Sequence, residues 1–199
     1  FVEDVKPRLR GQSAMVRFAD DATLIFKDEE DMKRVQKVLS KRFAKYGLKL
    51  NEEKTKIKKF FPSRGKGKGT DSFTFLGFRH YWGKSRKGNQ VVKRKTEEKR
   101  LTRATKKVSQ WCKKNRHRKI SEQQGILNMK LRGHYNYYGI TDNTPGIKKY
   151  AYVVRRALYR HINRRRQGKP CDFLKFGKLM TKYPLCAPRI RVSIYNTRI

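Results

Sequence analysis

The sequence is poor in acidic residues, in cysteine and in long apolar runs. It has 16 Asp and Glu against 53 Lys and Arg among 199 residues, which gives a formal net charge of +37. Three widely spaced cysteines without a Cys-x-x-Cys pair, and four scattered histidines, indicate free thiols and no zinc site. No segment approaches the ~18 consecutive apolar residues of a membrane span, so we expect no membrane partner.

The excess of positive charge indicates a polyanionic partner, because a chain this basic repels itself unless a polyanion neutralises it. Aromatic residues, at 12% of the chain, are too frequent for a disordered basic tail. Residues 1–61 contain 16 basic and 10 acidic residues, whereas residues 62–199 contain 37 and 6. We therefore expect a folded nucleic-acid-binding protein in which any carboxylate metal site lies in the first third.

The first half of the chain has the patterns of short strands and one helix. β-branched and aromatic residues at 14–18 and 22–27 predict a hairpin around Asp20 and Asp21. Asp28 predicts the start of a helix that stops near Gly47. Further strands are expected at 48–50, 55–61, 73–78 and 90–95, the last two joined by a turn at 83–89, with a flexible basic loop at 62–72.

From about residue 96 the apolar period changes from two to 3.6, which predicts three helices. The apolar faces would contain Leu101, Ala104, Val108, Trp111 and Cys112, then Ile126, Met129, Leu131 and Tyr135, then Ala151, Val154, Leu158 and Ile162. After residue 169 the tail is apolar enough to pack on these helices. The chain is thus predicted to be α+β, with antiparallel strands and one helix followed by an all-helical part.

The Asp20–Asp21 pair is the chemically informative feature of the first third. Phosphoryl transfer by two metal ions ~3.5–4 Å apart needs carboxylate oxygens that are held rigidly, and Mg²⁺ prefers such ligands. A hairpin tip would supply that rigidity. Adjacent aspartates also occur in ordinary turns, where they cap backbone amides. The pair alone therefore leaves both a metal site and a plain turn open.

Three further segments follow the hairpin motif Phe18-Ala19-Asp20-Asp21 in the chain. They are GLKLNEEKTK from Gly47 to Lys56, FLGF from Phe75 to Phe78, and LRGHYNYY from Leu131 to Tyr138. In this order, the segments resemble the palm and the thumb, or maturase, domain of group II intron reverse transcriptase–maturases. The resemblance implies a partial polymerase palm at 1–95, a helical thumb bundle at 96–168 and a basic tail at 169–199 packed on the thumb.

The resemblance also implies roles for individual residues. Asp20 and Asp21 would be catalytic and bind Mg²⁺, with Asp20 the more direct ligand. The primer grip would consist of Phe75, Leu76 and Gly77. The expected RNA-binding residues are Lys54, Arg132, Gly133, Tyr137, Arg155 and Arg156.

Bland interpretations remain open for several of these residues. Lys54 could be a solvated lysine, and Phe75 could belong to the core. Gly133 could allow the close approach of a helix as well as of an RNA backbone. Among the tyrosines of the last segment, we favour helix packing for Tyr135 and Tyr138 and leave Tyr137 open.

The implied function is that of an RNA-directed DNA polymerase and intron maturase, in a bacterial cytoplasm at the nucleoid or in an organelle. The partners would be intron RNA, an RNA/DNA template–primer and a DNA target. Another catalytic aspartate of the family lies ahead of the hairpin, where Glu3 and Asp4 have no matching context. We therefore expect a missing upstream half, and no DNA synthesis by this chain alone. The alternatives are a non-catalytic maturase module that assists splicing, and a generic basic RNA-binding protein with a chance Asp-Asp turn.

Overall fold

The computed structural model describes residues 1–62, 72–164 and 171–194. These residues form five β-strands in two antiparallel sheets, five α-helices and a 3-10 turn at Lys6–Arg8. The predicted α+β class is confirmed. The chain divides into two compact units, Phe1–Phe61 and Pro62–Ile199.

The first unit is built on a hairpin and one helix. Strands β1 (Ser13–Phe18) and β2 (Asp21–Phe26) pair antiparallel over their whole length, as the β-branched and aromatic pattern predicted. Helix α1 (Glu29–Ala44) begins where the carboxylate of Asp28 accepts a hydrogen bond from the Asp31 backbone N–H at 2.9 Å. The predicted cap is therefore confirmed, and it satisfies one of the free donors of the first turn.

Helix α1 stops at the glycine that the sequence predicted. The Leu48 N–H donates to the Phe43 carbonyl at 3.0 Å and the Gly47 N–H to the Ala44 carbonyl at 3.1 Å. This pattern is a Schellman motif, which requires a left-handed residue, and Gly47 has a φ of +67°. Glycine adopts that conformation without a steric penalty.

The strands predicted at 48–50 and 55–61 are wrong, because neither segment has strand geometry. Residues 51–54 form a turn in which the Asn51 side chain accepts a hydrogen bond from the Lys54 N–H at 3.1 Å. The Thr55 N–H donates to the Asn51 carbonyl at 3.0 Å. Asparagine thus supplies a local partner for the backbone, which competes with strand pairing.

The second unit begins with a three-stranded sheet of order β3–β4–β5, formed by Phe73–Phe75, Phe78–Lys84 and Gln90–Thr96. The single strand predicted at 73–78 is wrong, because the chain reverses at Leu76 and Gly77, whose φ angles are +50° and +76°. Strands β4 and β5 pair across the predicted turn. Most of the loop predicted at 62–72 lies outside the described residues.

Four helices follow: α2 (Glu98–Lys114), α3 (Ile120–Tyr138), α4 (Thr144–Asn163) and α5 (Phe173–Lys182). The core that they share contains Leu101, Val108, Cys112, Leu127, Leu131, Tyr135, Ile147, Tyr150, Val154, Ala157, Leu158, Ile162, Cys171 and Phe176. The faces predicted for α2 and α4 line this core. The three cysteines are free, as predicted.

The face predicted for α3 is partly wrong. Met129 is 60% exposed, whereas Leu127 is completely buried. Leu127, Leu131 and Tyr135 follow one another at intervals of four and so lie on one side of the helix, while Met129 is half a turn away from Leu127. The row spaced by four, rather than the two apolar residues at 126 and 129, therefore defines the buried side.

The described part of the C-terminal tail packs on the helices, as its apolar composition predicted. Phe176 of α5 belongs to the core, and the segment after α5 lies along α3. There the Tyr135 hydroxyl donates to the Cys186 carbonyl at 3.2 Å, and the Asn128 side chain accepts from the Cys186 N–H at 2.8 Å. At the end of α3, a side chain at Gly139 would approach the Arg189 carbonyl oxygen of this segment to 2.7 Å, so the crossing requires glycine.

Along the chain, the division between the compact units falls between residues 61 and 62, whereas the predicted domain boundary lies at 95–96. The sheet of residues 73–96 belongs to the same compact unit as the helices. The division into palm, thumb and tail stays a prediction. None of the described helices is long and apolar enough to cross a membrane.

Candidate functional site

The two aspartates lie where the sequence predicted them, at the tip of the first hairpin. Ala19 and Asp20 form the two-residue loop, and Asp21 opens β2 opposite Phe18. Ala19 has a φ of +49°, which is uncommon for a residue with a side chain. Its carbonyl accepts a hydrogen bond from Arg17 Nε at 3.0 Å, which braces the turn. Both carboxylates are exposed at the end of a paired ladder.

The described residues do not complete a metal centre around this turn. No group of three or more His, Cys, Asp and Glu that could hold a metal ion occurs among them. A two-metal clamp needs several carboxylate oxygens around both ions, and two neighbouring aspartates of one turn cannot surround them. Asp20 and Asp21 therefore amount to a partial donor set.

The predicted primer grip is a tight turn in the second unit. Leu76 and Gly77 form the loop between β3 and β4, and Phe75 pairs with Phe78 across it. The Gly77 carbonyl accepts a hydrogen bond from the Glu97 N–H at 2.9 Å, at the point where β5 ends. Gly77 is buried, and Phe75 and Leu76 are half-buried.

Aromatic side chains from the end of α3 pack on this turn. The Tyr137 hydroxyl donates a hydrogen bond to the Leu76 carbonyl at 2.9 Å. The Tyr137 ring lies parallel to Phe78 with a centroid distance of 5.8 Å, and Tyr138 meets Phe78 edge-on at 5.3 Å. The structure thus brings Tyr137 together with Leu76, two residues that are 61 positions apart in the chain.

A histidine continues the aromatic cluster into the core. His134 stacks on Tyr150 of α4 with a centroid distance of 3.8 Å and is tilted against Tyr138 at 4.7 Å. Burial lowers the pKa of His134 to about 4, because the charged ring would lose its hydration. Burial likewise raises the pKa of Tyr150 to about 12. The cluster is therefore uncharged near neutral pH and joins α3, α4 and the β3–β4 turn.

A buried asparagine connects the sheet to α3 and α4. Asn143 is completely buried, and the carbonyl oxygen of its side chain accepts a hydrogen bond from the Thr96 N–H at 2.8 Å. The amide nitrogen of the same side chain donates to the Thr96 hydroxyl at 2.8 Å and to the Tyr138 carbonyl at 2.7 Å. These three bonds fix the end of β5 against the end of α3.

Helix α2 turns a continuous basic face outward. Its exposed basic residues are Lys99, Arg100, Arg103, Lys106, Lys107, Lys113 and Lys114. At 100° per residue they fall within an arc of about 140°, on the side opposite the buried Leu101, Val108 and Cys112. We call these seven residues the α2 basic face. It extends along a helix of 17 residues, about 25 Å.

An open depression of about 510 Å³ lies at the C-terminal end of α2. It is lined by Gln110, Lys113, Lys114, Arg116 and His117. Nearby, His161 of α4 is buried, and its pKa is lowered by burial and then by the surrounding Arg164, Arg160, Arg116 and Lys113. The depression is therefore an open concavity that brings together the positive charges of Lys113, Lys114 and Arg116.

The remaining predicted RNA-binding residues are exposed. In the second unit, the Arg155 guanidinium lies 5.8 Å from the Phe176 ring centroid, Arg156 contacts the Tyr152 hydroxyl at 3.3 Å, and Arg132 Nε donates to the Asn128 carbonyl at 3.3 Å. Local contacts thus restrain these arginines.

Gly133 and Lys54 have surroundings that differ from those of the three arginines. No atom of another described element lies within 4 Å of the position of a side chain at Gly133, so the glycine admits no neighbouring helix there. Lys54 lies in the first unit, in the turn that Asn51 caps. The predicted RNA contacts of Lys54 and Gly133 stay predictions.

Two family profiles match the chain. Residues 1–80 match reverse transcriptase (RNA-dependent DNA polymerase), and residues 101–183 match the group II intron maturase-specific domain. The chain belongs to the group II intron reverse transcriptase–maturases. A search of curated proteins found no match. Both matches indicate reverse transcriptase and maturase function, and enzymes of this family generally use Mg²⁺.

In this reverse transcriptase–maturase the turn at residues 19–21, which we call the acidic turn, and the β3–β4 turn fall within the reverse transcriptase match. The aromatic cluster at the end of α3 falls within the maturase match. Sequence reasoning missed Asn143 and His134 as parts of the site. A lone asparagine before a Thr-Pro helix start gives little signal, because its partners Thr96 and Tyr138 are identified only by the fold.

Proposed function

We propose that this reverse transcriptase–maturase binds structured intron RNA through the basic surface of its second unit. The α2 basic face is the observation that supports this proposal best. Helical RNA is recognised through phosphates, 2′-hydroxyls and shape, which suits a long array of exposed cations. The depression at the end of α2 groups Lys113 and Lys114 of this face with Arg116, which follows the helix.

Two lysines of the α2 basic face, Lys106 and Lys113, test this proposal. We expect Lys106→Gln combined with Lys113→Gln to weaken the affinity for a folded intron RNA. The slope of log affinity against log salt should become shallower by about 1.4–1.8, because each lost phosphate contact removes about 0.7–0.9. Filter binding at several salt concentrations measures this slope.

The matched control carries the same change of charge in the first unit. Lys37→Gln combined with Lys41→Gln removes two exposed lysines of α1. An equal loss of affinity in both double variants would mean that net charge alone attracts the RNA, and the proposal for the α2 basic face would fail.

For DNA synthesis, we propose that Asp20 and Asp21 provide two of the Mg²⁺ ligands and that Phe75, Leu76 and Gly77 contact the primer strand of an RNA/DNA template–primer. The hairpin tip and the exposure of both carboxylates support the first role. Among the described residues, no third His, Cys, Asp or Glu joins them in a group that could hold a metal ion. Lys54 and the exposed Arg132, Arg155 and Arg156 are proposed to contact phosphates.

A second candidate function is a maturase module that assists splicing without polymerising DNA. The partial donor set at the acidic turn favours it for the chain as it stands. Primer extension on an RNA template with Mg²⁺ separates the two functions. We expect no synthesis by the purified chain, and we expect Asp20→Ala to retain its RNA affinity. Robust synthesis that Asp20→Ala abolishes would instead establish a complete polymerase site.

A further inference from the structure

The β3–β4 turn has a conformation that its own residues do not favour. Both loop residues have positive φ angles, +50° at Leu76 and +76° at Gly77. Two-residue hairpin loops of this kind prefer Asn-Gly or Asp-Gly, because a residue with a large side chain rarely enters the left-handed region. Leu76 therefore needs contacts from outside the hairpin to hold it there.

Those contacts come from the end of α3 and the end of β5. The Tyr137 hydroxyl donates to the Leu76 carbonyl at 2.9 Å, and the Glu97 N–H donates to the Gly77 carbonyl at 2.9 Å. Both carbonyls of the loop are thus fixed by groups outside the hairpin. The Tyr138 hydroxyl closes the remaining side, since a side chain at Gly77 would approach it to 3.0 Å.

We infer that Tyr137 is a positioning residue for the β3–β4 turn, through which the maturase helix α3 sets the place of the primer strand. The inference rests on the proposed primer contact of the turn. Tyr137 is 53% exposed, and its ring is supported by Phe78. Its hydroxyl donates to the Leu76 carbonyl, so the contact on which the inference depends is with the turn.

The conservative variant Tyr137→Phe tests the inference, because it removes the hydroxyl and keeps the ring on Phe78. In the full chain we expect amide hydrogen exchange in the β3–β4 hairpin to accelerate about fivefold, the usual net effect of one hydrogen bond. We also expect weaker binding of an RNA template annealed to a DNA primer, with unchanged binding of an RNA duplex. The matched control is Tyr46→Phe in the first unit, a tyrosine that is 71% exposed, which should leave hairpin exchange and hybrid binding unchanged.

Leu76→Asn tests the primer contact separately, because asparagine tolerates the left-handed conformation and changes only the side chain. Weaker hybrid binding by both variants, together with faster exchange in Tyr137→Phe, supports the inference. Unchanged exchange in Tyr137→Phe overturns it. The positioning role is also overturned if Tyr137→Phe accelerates exchange but binds the hybrid normally, while Leu76→Asn weakens hybrid binding. If Leu76→Asn binds the hybrid normally, the proposed primer contact fails.

Discussion

The two compact units differ in how they bury their apolar residues. The second unit has a core shared by four helices, whereas the described residues of the first unit bury only Asp31 and Val35. In the first unit Val16, Phe18 and Ile25 are between 49% and 65% exposed. A two-stranded hairpin with one helix is marginal by itself, so local hydrogen bonds rather than a core shape the acidic turn.

The units differ in charge as well. The first third holds most of the carboxylates, and the remainder holds most of the excess positive charge. The proposed metal ligands therefore lie in the unit with little core, and the proposed RNA surface lies in the unit with a large one. A rigid helical frame keeps many cations at fixed spacing, although they repel one another.

The largest expected effect concerns the helical core of the second unit. Leu158→Ala should lower the free energy of unfolding of the second unit by about 2–5 kcal/mol, because Leu158 is 1% exposed and the variant leaves a cavity. Both tryptophans, Trp82 and Trp111, lie in this unit, so denaturation followed by tryptophan fluorescence reports its unfolding. Leu39→Ala in the half-buried face of α1 is the counterpart. A fluorescence transition shifted equally by both variants would show that the units unfold as one.

The second prediction concerns the pH dependence of the second unit. The pKa of His134 is about 4 in the folded protein and about 6.5 in the unfolded chain. The unfolded state therefore binds the proton first, and stability that is present above pH 6.5 declines as the pH falls towards 4. We expect a loss of about 2 kcal/mol from His134 after allowance for solvent screening.

His134→Phe keeps the stacking on Tyr150 and removes the titrating group, so its stability should decline less between pH 6.5 and 4. Denaturant unfolding at several pH values measures this. The pKa values of His80 and His161 are also lowered by burial, and they account for a residual slope in the variant. An equally steep decline in His134→Phe would contradict the prediction.

The smallest expected effects come from a matched pair of helix caps. Asp28 accepts from the Asp31 N–H at 2.9 Å in the first unit, and Asp172 accepts from the Lys175 N–H at 2.7 Å in the second. Either change to Ala should cost about 1 kcal/mol. Asp172→Ala should shift the tryptophan transition, while Asp28→Ala should accelerate hydrogen exchange in α1 only. A shifted tryptophan transition in Asp28→Ala, or faster exchange of α1 in Asp172→Ala, would contradict this prediction.

Local patterns predicted much of each unit. The hairpin, the Asp28 cap and the Gly47 stop depend on neighbours within a few residues, and all three are confirmed. The apolar faces of α2 and α4 follow from a period that buried helices must obey. The strands at 48–50 and 55–61 were wrong, because neither segment adopts strand geometry and Asn51 offers the neighbouring backbone a local hydrogen-bond partner.

By itself, the sequence determined most of the elements, the charge of the surface and the family, because these depend on composition, short-range spacing and motifs. Only the tertiary structure decided that Asn143 fixes the end of β5 and that the Tyr137 hydroxyl meets the Leu76 carbonyl of the β3–β4 turn. Each of these depends on a contact between residues that are 47 or 61 positions apart. Such contacts form only after helices pack, so no local pattern encodes them.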